Sequence, residues 1–113
     1  MEERATLREV MLEIMEKRLG ITTVVDGDGI LAGVITDGDF KRILIQHADP
    51  WGLRASQVMS RHPSTIATDA LVASAVRVME DRAAGPITAL VVVDDSGRPI
   101  GILHLHDCLR AGG

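Results

Sequence analysis

The sequence predicts an α/β fold: two copies of one helix, strand, strand, helix unit packed as a pseudo-twofold pair, the second with an extra N-terminal strand. Three observations predict it. The segment from Val24 to Arg42 recurs as Val92 to Arg110 at a constant spacing of 68 residues, with seven of nineteen positions identical. Apolar residues stand at helical spacing ahead of each copy, as Leu7, Val10, Met11, Ile14 and Met15 and again as Leu71, Val72, Ala75, Val76 and Met79. Each copy then breaks its β-branched run with a turn signal, Asp26-Gly27-Asp28-Gly29 or Asp95-Ser96-Gly97. A unit of about 45 residues seldom builds a core of its own, so the two copies are expected to share one.

The first helix starts at Leu7, with Thr6 as N-cap and Glu9 three residues later, and Gly20 is expected to end it. Glu13 and Lys17, four apart, mark its solvated side. Thr22 to Val25 and Leu31 to Ile35 read as a hairpin, and Asp37 to about Gln46 as a helix. Ala48 to Leu53, with Asp49-Pro50 and Gly52, reads as linker. Val58-Met59 and Pro63 to Ile66 read as an extended lead-in to the second helix, which Thr68 or Asp69 caps. A strand to Val93, a second from Ile100 to Leu103 and a final helix complete the second copy. The helices match at a spacing of 64 and the strands at 68; two of the extra residues lengthen the Ala83-Ala84-Gly85-Pro86 turn and two the strand after it. The repeats are set at 1–47 and 57–113, with 48–56 as linker. Nothing like the lead-in precedes the first helix, so repeat one is expected to be N-terminally truncated and the chain a piece of a longer protein.

Composition excludes several functions. At 113 residues, 46% hydrophobic and 25% charged, with a net charge of −4 and no cationic cluster, the chain offers no footprint for nucleic acid or an anionic membrane. Phe40 and Trp51 are its only aromatic residues, which leaves no platform for stacking bases. A single cysteine, Cys108, excludes an internal disulfide, and no apolar run spans a bilayer or resembles a signal peptide; a cytoplasmic setting is expected. Apolar helix positions Met11, Ile14, Met15, Val72, Val76 and Met79 exceed what so small a core absorbs and lend support to a homodimer, which rests in part also on the resemblance given below.

The candidate site residues follow from the strand ends. Gly33 is expected to let a ligand approach the second strand closely, and Thr36 ends that strand where a helix begins. A hydroxyl and several unpaired amides would then face one spot, which suits a phosphate, while Asp39 is placed to accept from a sugar diol. The same pair also reads as a helix start, Thr36 as N-cap and Asp39 favoured by the helix dipole. Thr22 and Thr23 are expected to form the opposite wall, although β-branched residues are ordinary in a strand. In copy two His104 stands where Thr36 stands, so the two clefts differ; His104 and His106, with Thr88 and Asp107, form the second candidate, suited to an acidic ligand. His104-x-His106-Asp107 lacks a third histidine or a cysteine pair at ligand spacing, and no metal is expected. Cys108 reads as packing; Lys41, Arg42 and Arg110 are placed to reach a phosphate from the cleft rim, although cations near a helix surface are more often merely solvated.

Val58-Met59, then Pro63, a capped helix, a Val-Val-Asp turn and Gly33 to Asp39 opening a helix together resemble a CBS domain, and two in tandem resemble a Bateman module. Leu19-Gly20-Ile21-Thr22, Thr36-Asp37-Gly38-Asp39-Phe40-Lys41-Arg42 and His104-Leu105-His106-Asp107-Cys108-Leu109-Arg110 more narrowly resemble the C-terminal region of the arabinose-5-phosphate isomerase family. That resemblance implies a regulatory pair binding a nucleotide or nucleotide-sugar effector, with AMP, ATP and CMP-Kdo as candidates and no required cofactor. Its implied partner is a sugar-isomerase domain of the parent chain that serves Kdo and lipopolysaccharide synthesis; the pair itself is expected to catalyse nothing. The alternatives are a structural oligomerisation module with empty clefts and a stand-alone adenine-nucleotide sensor.

Overall fold

The computed structural model describes residues 1–69, 72–80 and 89–104, and the chain divides into two compact units, Met1–His62 and Pro63–Gly113. In the first, α1 (Leu7–Lys17) starts with the expected capping box: the Glu9 amide donates to Thr6 Oγ1 at 3.2 Å, and the Glu9 side chain accepts from the Thr6 amide. The helix stops at Lys17 rather than at Gly20. Arg18 turns left-handed (φ 57°), its amide donating to Ile14, and Gly20 (φ 72°) makes a second left-handed step into β1.

β1 (Ile21–Val25) pairs antiparallel with β2 (Leu31–Thr36), which runs directly into α2 (Asp37–Gln46). Asp26 builds the connecting turn, its Oδ1 accepting from the Asp28 and Ile30 amides at 2.8 and 3.1 Å, with Gly29 at φ 80°. Leu7, Val10, Ile14, Val24, Ile35, Phe40 and Ile43 form the core, joined by Ala55 and Met59.

The stretch expected as linker has structure of its own, and Ala55 within it packs into this core. Pro50–Gly52 is a 3-10 turn with Pro50 buried, Trp51 lies against Phe40 with ring centroids 6.4 Å apart, and Ala55–Val58 forms α3. Val58 therefore closes a helical turn instead of extending. Backbone bonds from far along the chain hold this segment: the Leu7 amide donates to Leu53, Ala55 to Ala5 and Ser56 to Glu3. The chain extends from Met59 onward, and Ser60 bridges antiparallel to Val34.

In the second unit, β3 (Thr65–Ala67) runs parallel to β4 (Ala89–Val93), which pairs antiparallel with β5 (Pro99–His104). β3 is the expected extra strand. α4 (Val72–Glu80) buries Ala75 and Met79 against Leu90. Asp94 repeats the turn of Asp26, its Oδ1 accepting from the Ser96 and Arg98 amides at 2.9 and 3.0 Å. The described β4 is no longer than β1; Ile87 and Thr88, expected to lengthen it, lie outside the described residues, as does the expected final helix.

Two further expectations are corrected. A vestige of the lead-in does precede α1: Glu2 bridges Val25 in parallel fashion, with Met1 accepting from the Val25 amide at 2.8 Å, as Ser64 accepts from Val91 in the second unit. The apolar surface expected to carry a dimer is mostly interior. Ile14 and Met79 are core residues, Met11 and Val76 pack against them, and of the named residues whose side chains are described only Met15 is exposed, at 64%. It lies off the buried stripe of Leu7, Val10 and Ile14, which is narrower than the apolar pattern. The outward apolar side chains of this unit are Leu12, Met15, Leu19, Leu44, Ile45 and Trp51. Among the described residues no helix is long and apolar enough to cross a membrane.

Candidate ligand-binding site

The register of the first hairpin sets the site. Thr36 stands opposite Ile21 at the end of β2, and Thr22 stands opposite Ile35. Side chains alternate across a strand, so Thr22 shares the core face with Val24 and Ile35 while Thr23 points the other way, alongside Ile21 and Thr36. Thr22 is accordingly 6% exposed. The two threonines expected to form one wall are thus divided, and only Thr23 keeps its hydroxyl on the face of Thr36.

Thr36 and Asp39 close a capping box on α2. The Asp39 amide donates to Thr36 Oγ1 at 3.1 Å, the Thr36 amide donates to Asp39 Oδ2 at 2.9 Å, and Arg42 pairs with Asp39 Oδ1. The helix-start reading of this pair is therefore realised. The expected cluster of unpaired amides is not: the Asp37 amide donates to Gly20 at 2.8 Å and the Asp39 amide is taken by Thr36. Among the described residues this leaves the Gly38 amide in the first turn, together with the Thr36 hydroxyl proton, as donors at the strand end. A Cβ on Gly38 would meet nothing nearer than Thr36 Oγ1 at 3.8 Å, so the approach is open.

Arg42, which the sequence offers as a rim cation that could reach a phosphate but is more often merely solvated, joins this set through its pairing with Asp39. Its pairing with Asp39 follows from the three-residue spacing on a helix, a signal the sequence does contain. Together they hold a carboxylate, a guanidinium, a hydroxyl and an amide within one helical turn. That set can donate to a phosphate and accept from a diol. Lys41 instead pairs with Asp37 at 3.2 Å, well out in solvent.

Gly33 serves a different purpose from the one expected. A Cβ there would lie 2.5 Å from the Ser60 carbonyl oxygen and 2.7 Å from Met59 Sδ. The close approach belongs to the chain's own Met59–Ser60 segment rather than to a ligand.

In the second unit, the pairing of Ala89 with His104 repeats that of Ile21 with Thr36, so His104 does occupy the threonine's position, half-buried at the end of β5. Thr88, His106 and Asp107 lie outside the described residues. Among the described residues no cluster of three or more His, Cys, Asp or Glu side chains is placed to hold a metal ion. An open cavity of about 490 Å³ sits at the opposite end of β1, lined by Glu2, Glu3, Arg4, Val25 and Asp26, away from Thr36 and Asp39.

Comparison with known proteins finds the CBS domain over residues 2–46 and 55–113. Arabinose 5-phosphate isomerase KdsD of Pseudomonas aeruginosa is 44% identical over 107 residues, covering 95% of this chain and 32% of that protein. The chain thus spans about a third of the length of the curated relatives it matches. Among solved structures, the CBS domain pair of protein MJ0100, in complex with 5-methylthioadenosine and S-adenosyl-L-methionine, superposes with a TM-score of 0.83 at 25% identity, covering 99% of this chain and 85% of that one. The cytosolic domain of the Mg2+ channel MgtE in complex with ATP gives 0.79 at 28% identity, covering 98% and 43%.

Proposed function

Because the chain belongs to the CBS domain family, with two copies of the domain in tandem, we propose that it is the regulatory ligand-binding pair of a sugar-phosphate isomerase, with repeats at 1–47 and 57–113 joined by 48–56. The observation that carries the ligand-binding reading is the Thr36, Gly38, Asp39 and Arg42 set at the end of β2, with its exposed guanidinium and open approach. The ligands of the MJ0100 and MgtE domains, all adenosine compounds, support a nucleotide-type effector. The likeness to KdsD supports an arabinose 5-phosphate isomerase as parent, and hence a role in Kdo and lipopolysaccharide synthesis in the cytoplasm.

In this reading Thr36 and Gly38 donate to a phosphate oxygen, Asp39 accepts from a ribose hydroxyl, and Thr23 flanks the ligand. Thr88, His104, His106 and Asp107 form the second subsite. His104 in place of a threonine makes that subsite suited to an acidic group, and CMP-Kdo combines a cytidine nucleotide with a sugar acid. Regulation requires that the ligand favour one arrangement of the parent over another.

Calorimetry and thermal shift with AMP, ATP, CMP and CMP-Kdo test the proposal. A ligand at 100 times its dissociation constant adds about 2.7 kcal/mol of stability, a readily visible shift. Selective stabilisation by CMP-Kdo that His104→Ala removes supports feedback sensing. Selective stabilisation by AMP or ATP that Asp39→Ala removes assigns adenine-nucleotide sensing instead. Silence across the panel overturns the sensor reading. The outward Leu12, Met15, Leu19, Leu44, Ile45 and Trp51 favour a second role, assembly of the parent as a homodimer through α1 and α2.

A further inference from the structure

Asp39 has both carboxylate oxygens engaged within the chain: Oδ2 accepts from the Thr36 amide at 2.9 Å, and Oδ1 pairs with Arg42. The two engagements differ in kind. The first belongs to the capping box of α2, in which the Asp39 amide in turn donates to Thr36 Oγ1 at 3.1 Å, so losing it loosens a helix end. The second holds no element of the fold. The Arg42 side chain is 64% exposed against 20% for Asp39, and an ion pair so open to water contributes little to stability. Oδ1 is therefore the oxygen that can be handed to a ligand, and Arg42 is the group that has to leave it.

We infer that Arg42 is the specificity-determining residue of this site, selecting a nucleoside that carries a phosphate over one that does not; the inference rests on the nucleotide-binding reading above. A ribose diol alone competes with the guanidinium for Oδ1 and offers Arg42 no partner in exchange. A nucleotide supplies both halves: its diol donates to Oδ1 while its phosphate takes the guanidinium, whose planar fork suits phosphate as well as carboxylate. Placement favours the exchange. Arg42 follows Asp39 by three residues, so its head group reaches back over the first turn of α2, where the Thr36 hydroxyl and the openly approached Gly38 amide also donate. The neighbouring Lys41 is drawn instead to Asp37 at 3.2 Å, with both side chains more than half in solvent, and leaves the selection to Arg42.

Calorimetry with two pairs of probes, AMP with adenosine and CMP with cytidine, tests this in the unaltered protein, in Arg42→Met, which keeps an unbranched apolar stem and removes the donors, and in Arg42→Lys. The unaltered protein should bind the phosphorylated member of a pair at least about tenfold more tightly than its nucleoside. Arg42→Met should weaken the nucleotide by about tenfold or more and leave the nucleoside as tight or tighter, because Oδ1 is freed. Arg42→Lys keeps the charge and should restore part of the preference. An equal loss for both members of a pair, which a merely structural role predicts, overturns the inference while the sensor reading stands. A preference for the nucleotide that Arg42→Met does not reduce overturns it in the same way. Binding of neither pair also overturns it, and CMP-Kdo then decides whether the sensor reading falls with it.

Discussion

Replacing Gly33 with alanine places a methyl group 2.5 Å from the Ser60 carbonyl oxygen and 2.7 to 2.8 Å from the Met59 side chain. Carbon and backbone oxygen do not approach so closely, so the Met59–Ser60 segment must lift. Lifting it breaks the two bonds between Val34 and Ser60, each contributing about 0.5 to 1.5 kcal/mol. Met59, 8% exposed and part of the first core, is pulled partly out; full truncation of such a residue costs about 2 to 5 kcal/mol, and half of the lower figure is a fair share. Alanine in a strand regains about 0.5 to 1 kcal/mol over glycine. The net expectation is a loss of about 1 to 3.5 kcal/mol. Urea unfolding measures it, with fluorescence of Trp51, the chain's single tryptophan, reporting the first unit and far-UV circular dichroism the whole chain. Gly101→Ala is the matched control, since the added methyl meets open space, and it should be neutral or stabilising by up to about 1 kcal/mol. A Gly33→Ala variant within about 0.5 kcal/mol of the parent, or a Gly101→Ala variant equally destabilised, refutes the reasoning.

Thr36→Ala removes the N-cap of α2 and should cost about 1 kcal/mol in urea unfolding, whereas Thr36→Ser keeps the oxygen that accepts from Asp39 and should restore most of it. Asp26→Ala and Asp94→Ala each remove an oxygen that accepts two amides in a tight turn, and each should lose about 1 to 2 kcal/mol; loss in only one would show that the two turns are not energetically equivalent. Ile45 is 85% exposed, so Ile45→Lys should change unfolding stability by no more than about 0.5 kcal/mol while lowering the mass measured by light scattering if α2 joins two chains. An unchanged mass for a dimeric parent would place the contact elsewhere.

Much of the fold was legible in the sequence because its signals are local. The spacing of 68 residues identified both hairpins, and Thr23 opposite Val34 and Val91 opposite Ile102 follow that register. Thr6 with Glu9 announced the start of α1, and Asp26-Gly27-Asp28-Gly29 announced the turn. The candidate site was legible as a set of residues but not as a geometry. By spacing Thr36 and Asp39 fit a helix cap better than a ligand contact, and the structure shows the cap formed. Thr22 and Thr23 looked like one wall because adjacent residues read together in a sequence, whereas alternation sends them to opposite faces. Arg42 ranked below the threonines and aspartates because an exposed cation is usually idle, and its pairing with Asp39 is what the structure adds.

The sequence by itself determined the repeat, the two hairpins with their turns and the start of α1, since each depends on residues a few places apart or on one copy echoing the other. Only the tertiary structure decided that Ala55–Val58 is helical, that Gly33 makes room for Met59 and Ser60, and that Ile14 and Met79 are core rather than surface. Those outcomes rest on bonds and contacts between distant residues, such as Ala55 to Ala5 and Ser60 to Val34, whose formation depends on where packing brings the chain back onto itself.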